Sequence, residues 1–506
     1  MQGRALVLVV ALVGAGLIGC RAHEQETGTG PAQVAPAQVT GTGAWTVPTD
    51  VANAGNNPSQ ADYYDFAWQT FIALNWPAVA PSSTSNPGQP DTQQALGATA
   101  SAGVFIPAVW QTYRDLGSTM LAGGADPGTW GSVPFEKVPA GCTPIPAGAV
   151  APGFQPLVLD MVSKFDSANP DFIGQDDLNE ASGNPLIDQS GWYVVFDVRL
   201  NQSEYTFIQQ NGYYDAVNQI NAFKAPNTGI QPFPRTGQES SFNPPLPSYA
   251  QFGALEVKTS WRVLDPAKDD LSRYYTQVGY FLQPDGTTCE GPATFGLVGL
   301  HILRLTPTTP STWYWATFEQ VDNTQVPSGS QLKPSFAAPG TVDGQCEAAN
   351  LNQPPAAVSG NIPWNGTNTP VDVCRVFPIS SAVQAANQKW QGQSPVQGTV
   401  WQYYQLIETI NPSVQGGPAF SFPNNTTATV NTNAMANVTM ETYSQGTTTA
   451  PDSCMTCHAG GQPLGAPQPL TSTNQIFTFV LENADSSDTT LQVKRPLPPA
   501  MRRSGR

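Results

Sequence analysis

The pentapeptide Cys454-Met455-Thr456-Cys457-His458 constrains this chain more than any other feature. Two cysteines three positions apart, followed at once by histidine, form the Cys-x-x-Cys-His sequence that attaches c-type haem. On a helical turn the two sulfurs reach the two vinyl groups of the porphyrin, and the adjacent imidazole swings under the ring to ligate iron. Zinc would need further Cys or His ligands nearby, and none follows His458. A redox dithiol of the thioredoxin kind would need a surrounding βαβ pattern, which the flanking sequence lacks. In a chain of 506 residues the motif leaves only 459–506 behind it, part of that a basic tail. That is too little to build the distal side of a small all-α cytochrome c. One covalently attached haem c therefore has to be wrapped by residues that precede the motif.

Cys454 and Cys457 are then the cofactor-binding cysteines, and His458 is the proximal iron ligand. His23 and His301 are the other two histidines of the chain. His301 lies in 293–306, whose apolar and β-branched content predicts a strand buried on both faces, with Phe295, Leu297, His301, Leu303 and Leu305 on one of them. It is the candidate distal imidazole; a hydrogen-bonded core histidine is the competing reading. Met440, and beside it Met435, offer a thioether instead, on a helix expected over 434–443 with Asn437 as its cap. Each is equally a packing residue, and an open or water-bound sixth position stands as a further alternative. Lys258, Arg262 and Arg304 are candidate partners for haem propionates. Glu256, Glu319, Asp322 and Glu441 sit in suggestive segments, yet none is identifiable as a catalytic acid or base.

The N-terminus agrees with a cofactor attached outside the cytoplasm. Residues 1–19 carry Arg4 and then an apolar run from Ala5 to Ile18, shorter than a bilayer span, which reads as a signal peptide. Its end, Leu17-Ile18-Gly19-Cys20, resembles the bacterial lipobox, which implies lipidation at Cys20 and a membrane anchor without a spanning helix. Arg21, where sorting rules look for Asp, implies the outer membrane, and in any case a periplasm-facing position in the cell envelope. Residues 20–58, with Pro-Ala-Gln-Val repeated between Pro31 and Val39, read as a flexible tether. Charged residues are only 11% of the chain, and the polar balance is uncharged, as suits an exported protein. The net charge of −16 excludes nucleic acid as a main partner and would steer a basic soluble electron-transfer partner toward the body. Lys494, Arg495, Arg502, Arg503 and Arg506 make 491–506 a basic tail, expected to be disordered. Setting Cys20, Cys454 and Cys457 aside, Cys142, Cys289, Cys346 and Cys374 remain for two disulfides. Cys346 with Cys374 is the preferred pair, since the two bracket a Pro/Asn/Gly-rich stretch with little else to hold it.

Between these ends, 59–490 reads as one globular haem-binding domain with a soft internal boundary near 324–372. It opens with a helix capped by Ser59 and Asp62, bearing Tyr64, Trp68, Phe71 and Ile72 at helical spacing and stopped by Pro77. A second helix is expected over 107–116, a strand over 192–200, and helices on to 223. Strands follow over 253–265, 273–282, 293–306 and 313–321, joined by turns that favour antiparallel pairing. Helices over 380–391 and 400–409 lead to the haem segment. The order predicts an α+β fold: an antiparallel sheet core flanked by helices, with the attachment motif on a C-terminal helical segment.

Five segments carry a resemblance to a known family: Phe66-Ala67-Trp68-Gln69-Thr70-Phe71-Ile72-Ala73-Leu74-Asn75-Trp76, Gly253-Ala254-Leu255-Glu256-Val257-Lys258-Thr259-Ser260-Trp261, Leu300-His301-Ile302, Trp315-Ala316-Thr317-Phe318-Glu319-Gln320-Val321-Asp322-Asn323, and Met440-Glu441-Thr442-Tyr443 ahead of the motif. Together they resemble large, mostly uncharacterised bacterial mono-haem cytochrome c-like proteins over about 60–480. The resemblance implies one haem and this fold, and leaves the chemistry open. That family has His where Gln320 stands, which implies one potential ligand fewer and shifts weight to His301. The expected function is electron transfer or redox chemistry at the cell envelope. The alternatives are a haem enzyme of peroxidase or oxygenase type, for which so large an aromatic body could wall a pocket, and a haem-based sensor.

Overall fold

A computed structural model describes residues 44–54, 58–81, 88–131, 138–162, 184–224, 226–227, 229–307, 313–356, 360–410, 435–447, 450–451, 454, 458, 461–467, 476 and 478–491. The signal peptide 1–19, Cys20, His23, Met455, Cys457 and the tail beyond 491 lie outside them.

Helix α1 (Gln60–Leu74) starts where its capping residues dictate. Ser59 Oγ accepts the Asp62 amide at 3.2 Å, and the Asp62 carboxylate reaches back to the Ser59 amide at 2.7 Å. The helix buries Phe66, Trp68, Phe71 and Ile72, and each such ring or branched chain contributes roughly 1.5–3 kcal/mol on burial. The remaining helices are α2 (Leu116–Thr119), α3 (Gln202–Asn211), α4 (Ala216–Ala222) and α5 (Ser381–Gln391), the last capped by Ser380.

A small ladder, β1 (Thr99–Ser101) with β2 (Val104–Phe105), precedes the main sheet. The sheet comprises β3 (Arg114–Asp115), β4 (Leu157–Leu159), β5 (Met161–Val162), β6 (Val195–Leu200), β7 (Leu255–Val263), β8 (Thr276–Leu282), β9 (Cys289–Arg304), β10 (Tyr314–Gln320) and β11 (Tyr404–Ile410). A second small ladder, β12 (Gly446–Thr447) with β13 (Ala450–Pro451), follows. The main order is β11-β10-β9-β7-β6-β3, all antiparallel, with β8 beside the first half of β9. The pairing of β4 with β8 is parallel. The architecture is α+β around an antiparallel sheet.

Residues that oppose one another in an antiparallel pair share a face, and this divides the sheet's surroundings. Leu300, Ile302, Tyr314, Ala316 and Phe318 face α1: Phe71 stacks on Phe318 at 4.2 Å between ring centroids, and Phe66 meets Tyr314 edge-on at 5.0 Å. Helix α5 joins that layer, its Asn387 accepting from the Trp68 indole and donating to the Leu406 carbonyl. The opposite face carries Glu256, Lys258 and Ser260 on β7, Gly299, His301 and Leu303 on β9, and Trp315, Thr317 and Glu319 on β10. Residues from 435 onward cover it.

The structure corrects several expectations. A bulge between Ser260 and Trp261 inserts one residue into β9 and reverses its alternation, so Leu297 and Phe295 oppose Trp261 and Val263 instead of continuing the His301 face. Residues 107–116 hold a 3₁₀ turn, Val109–Thr112, closed by the Thr112 hydroxyl on the Val109 carbonyl, and no longer helix. Residues 400–409 are a 3₁₀ turn, Val400–Tyr403, running into strand β11, because the edge of β10 offers that segment a ladder. The described part of 434–443 is a hydrogen-bonded turn and not a helix. Residues 44–54 do not belong to a free tether: Val47 and Val51 are buried, and the Pro48 carbonyl accepts from Arg304 at 2.8 Å. No boundary appears at 324–372, whose residues bond into the same body through Val371 to Ile187 and Ile362 to Gln283.

Cys346 is bonded to Cys374, and Cys142 to Cys289. Among the described residues no helix is long and apolar enough to cross a membrane.

Candidate functional site

The site is built by a turn that lies directly on the sheet. Asn437 caps it: its side-chain oxygen accepts the Thr439 amide at 3.0 Å, while its amide nitrogen donates to Thr317 Oγ1 and to the Phe318 carbonyl, both at 3.0 Å. Thr439 shares a hydrogen bond with Ser260 at 2.6 Å, and the Val438 amide donates to Glu319 Oε1 at 2.9 Å. The approach is so close that Gly299 is required beneath it. A methyl group there would collide with the Thr439 hydroxyl and come within 2.5 Å of Ser260 Oγ. Glu319 is also held from the side by Arg375, at 2.6 Å and 3.2 Å, with both partners buried. Arg375 follows Cys374 directly, so the Cys346–Cys374 bridge helps to station it.

This turn delivers Glu441 to His301. Glu441 Oε1 lies 3.0 Å from His301 Nε2, and its Oε2 accepts the Asn437 amide at 2.8 Å. His301 is buried, and its Nδ1 has no hydrogen-bond partner among the described residues.

Cys454 and His458 both have helical backbone. Cys454 is buried, its Sγ 4.0 Å from the Met435 carbonyl. The half-buried His458 ring sits against Trp315, at 5.9 Å and nearly edge-on, and against Phe479 at 5.0 Å. Trp315 opposes Leu303, two residues along from His301 on the same face, so the two described histidines are brought to one side of the sheet. The Trp315 indole nitrogen is buried without a hydrogen-bond partner among the described residues. Met435 and Met440 are both buried in the core beneath the turn.

Further along that face, Glu256 meets Glu204 from the first turn of α3. Burial pushes the Glu256 carboxyl up to about 7. Glu204 is raised well above the usual range by burial and then by the neighbouring Glu256 charge. Thr478, adjacent to Phe479, hydrogen-bonds Glu256.

The cations divide differently from the sequence expectation. Lys258 is on the site face, its ammonium 5.7 Å from the Phe196 ring. Arg262 is bound by Asp188 and Asp269, each at 2.8 Å. Arg304 points to the opposite face, under Phe66 at 4.7 Å, so it is no propionate partner. Asp322 is paired with Arg273, and Gln320 donates to Asp322, both away from His301. Glu204, Trp315 and Phe479 were not singled out from the sequence. Of these only Trp315 carried a signal, since its alternation with Thr317 in a strand beside His301 places it on that side.

The described residues that could hold a haem are Cys454 and His458, with His301 on the same side of the sheet. No group of three or more His, Cys, Asp or Glu side chains among the described residues could hold a bare metal ion. No protein-family model, curated protein or solved structure matches the chain.

Proposed function

We propose that this is an exported, lipid-anchored haem c protein that passes single electrons at the cell envelope. Cys454 and Cys457 would hold the haem through thioethers, His458 would ligate its iron, and Cys20 would carry the lipid. The observation that supports this most is that His458, packed on Trp315, and the Glu441-bound His301 lie on one face of the sheet. The Cys454 sulfur and the His458 imidazole four residues apart, an aromatic floor, and buried polar atoms without partners among the described residues suit a thioether-linked porphyrin better than a bare metal ion. When bound, such a group supplies one-electron chemistry. The chain's own residues supply the rest: Trp315 and Phe479 pack against the His458 ring and orient it, and the buried sheet lowers the local dielectric. The acidic body, net −16, would draw in a basic soluble carrier.

The test is expression of the full chain in a host competent in cytochrome maturation. The purified protein should stay pink after acid-acetone extraction, and Cys454→Ser with Cys457→Ser should be colourless. A colourless wild-type protein whose two motif thiols alkylate freely would overturn the reading. Carbon monoxide separates the neighbouring functions: ready binding by the reduced protein would replace electron transfer with the peroxidase, oxygenase or sensor reading.

A further inference from the structure

We infer that His301 is the second axial ligand of the iron and that Glu441 is the residue that positions it; this rests on the haem c reading above. An ionised carboxylate only accepts hydrogen bonds. Glu441 already accepts the Asn437 amide on Oε2 and lies 3.0 Å from His301 Nε2 through Oε1, so Nε2 is the nitrogen it engages. Nδ1 is then the ring nitrogen left to meet a metal. That atom is buried and no described group donates to it. A buried ring nitrogen without a partner is costly in the core, and a metal would meet it. A carboxylate on one ring nitrogen with the other kept bare is how imidazoles are oriented toward metals, and the carboxylate makes the ligand more basic.

The rival ligands lack this mark. Met435 is buried in the apolar core, where a thioether packs as any core side chain does, and no carboxylate orients it. The register adds a geometric reason. His301 and Trp315 share a sheet face, and Trp315 carries His458, so a ring inserted against this face meets an imidazole from the strand as well as one from the motif. Two strong axial ligands give a low-spin iron closed to exogenous ligands, which selects electron transfer over catalysis on small molecules.

The test uses the holoprotein. His301→Ala should keep its covalent haem, lose the low-spin ferric electron paramagnetic resonance signal in favour of a high-spin one, and gain carbon monoxide binding when reduced. Added imidazole should restore the low-spin signal. Glu441→Gln should stay low-spin while its midpoint potential rises, since a less basic imidazole stabilises the ferric state less. A pink His301→Ala protein with an unchanged resonance spectrum would overturn the inference while leaving haem c attachment intact; a colourless wild-type protein would defeat both. Should His301→Ala fail to accumulate, Glu441→Gln decides, and an unshifted potential there counts against the assignment.

Discussion

Glu204 and Glu256 show how much one buried contact can alter a residue's chemistry. Two carboxyl groups out of water cannot both ionise cheaply, so the pair retains a proton where either alone would lose it. The Glu256 carboxyl rises from 4.5 to about 7, chiefly through burial. Between these values the folded chain binds more protons than the unfolded one, so this group's stabilisation is full below about pH 4.5, declines as pH rises, and is gone above about pH 7. A shift of that size corresponds to roughly 3 kcal/mol. Glu256→Gln mimics the protonated form permanently, so its melting temperature should exceed that of the wild type at pH 8 and match it at pH 5. Melting curves of the two proteins that stay parallel across that interval would refute the argument. Glu204 was hidden in the sequence because a glutamate three residues after Asn201 reads as an ordinary helix-start residue. Only the neighbouring strand turns it into a buried acid.

At the scale of elements, the Glu319–Arg375 pair ties strand β10 to the turn at 438 and to the loop behind Cys374. Both members are buried, so Glu319→Ala leaves the Arg375 guanidinium with only the Asp343 carboxylate, 3.8 Å away, and should cost about 3 kcal/mol. Replacing both by apolar residues, Glu319→Leu with Arg375→Met, should recover most of that loss, and denaturant titration of the two variants checks it. If the double variant is as unstable as the single one, the penalty comes from the lost Val438 cap and not from the stranded charge. Strands β6 to β10 and helices α1, α3 and α5 were legible because their apolar period and capping residues agree. Strand β11 was not: Trp401, Tyr404, Leu406 and Ile407 satisfy a helical spacing as well as a strand one, and the choice is made by the free edge of β10. The turn at 437 was half legible. Asn437 was read correctly as a cap, yet the helix it should open is stopped after one turn, its polar groups being drawn to Thr317, Glu319 and Ser260. The bulge that reverses β9 leaves no mark in the sequence, since Leu297 and Phe295 are apolar and fit either face.

For the molecule as a whole, the two disulfides act at very different ranges. Cys142 and Cys289 are 147 residues apart, and Cys346 and Cys374 are 28 apart. Closing loops of those lengths restricts the unfolded chain by about 5 and 3.6 kcal/mol respectively on the chain-entropy account. Replacing Cys142 and Cys289 by Ala should therefore lower unfolding stability more than replacing Cys346 and Cys374. The shorter bridge, though, stations Arg375 beside the site, so its loss should be the one that reduces haem retention. Equal haem retention in the two variants would separate the bridge from the site. The placement of the strands has a consequence for biogenesis. Among the described residues every strand of the main sheet is complete by Ile410, and the turn that brings Glu441 onto His301 comes afterwards. A polypeptide threaded outward from its first residue thus finishes the scaffold before that turn arrives, leaving His301 and Trp315 open to whatever is delivered in the interval.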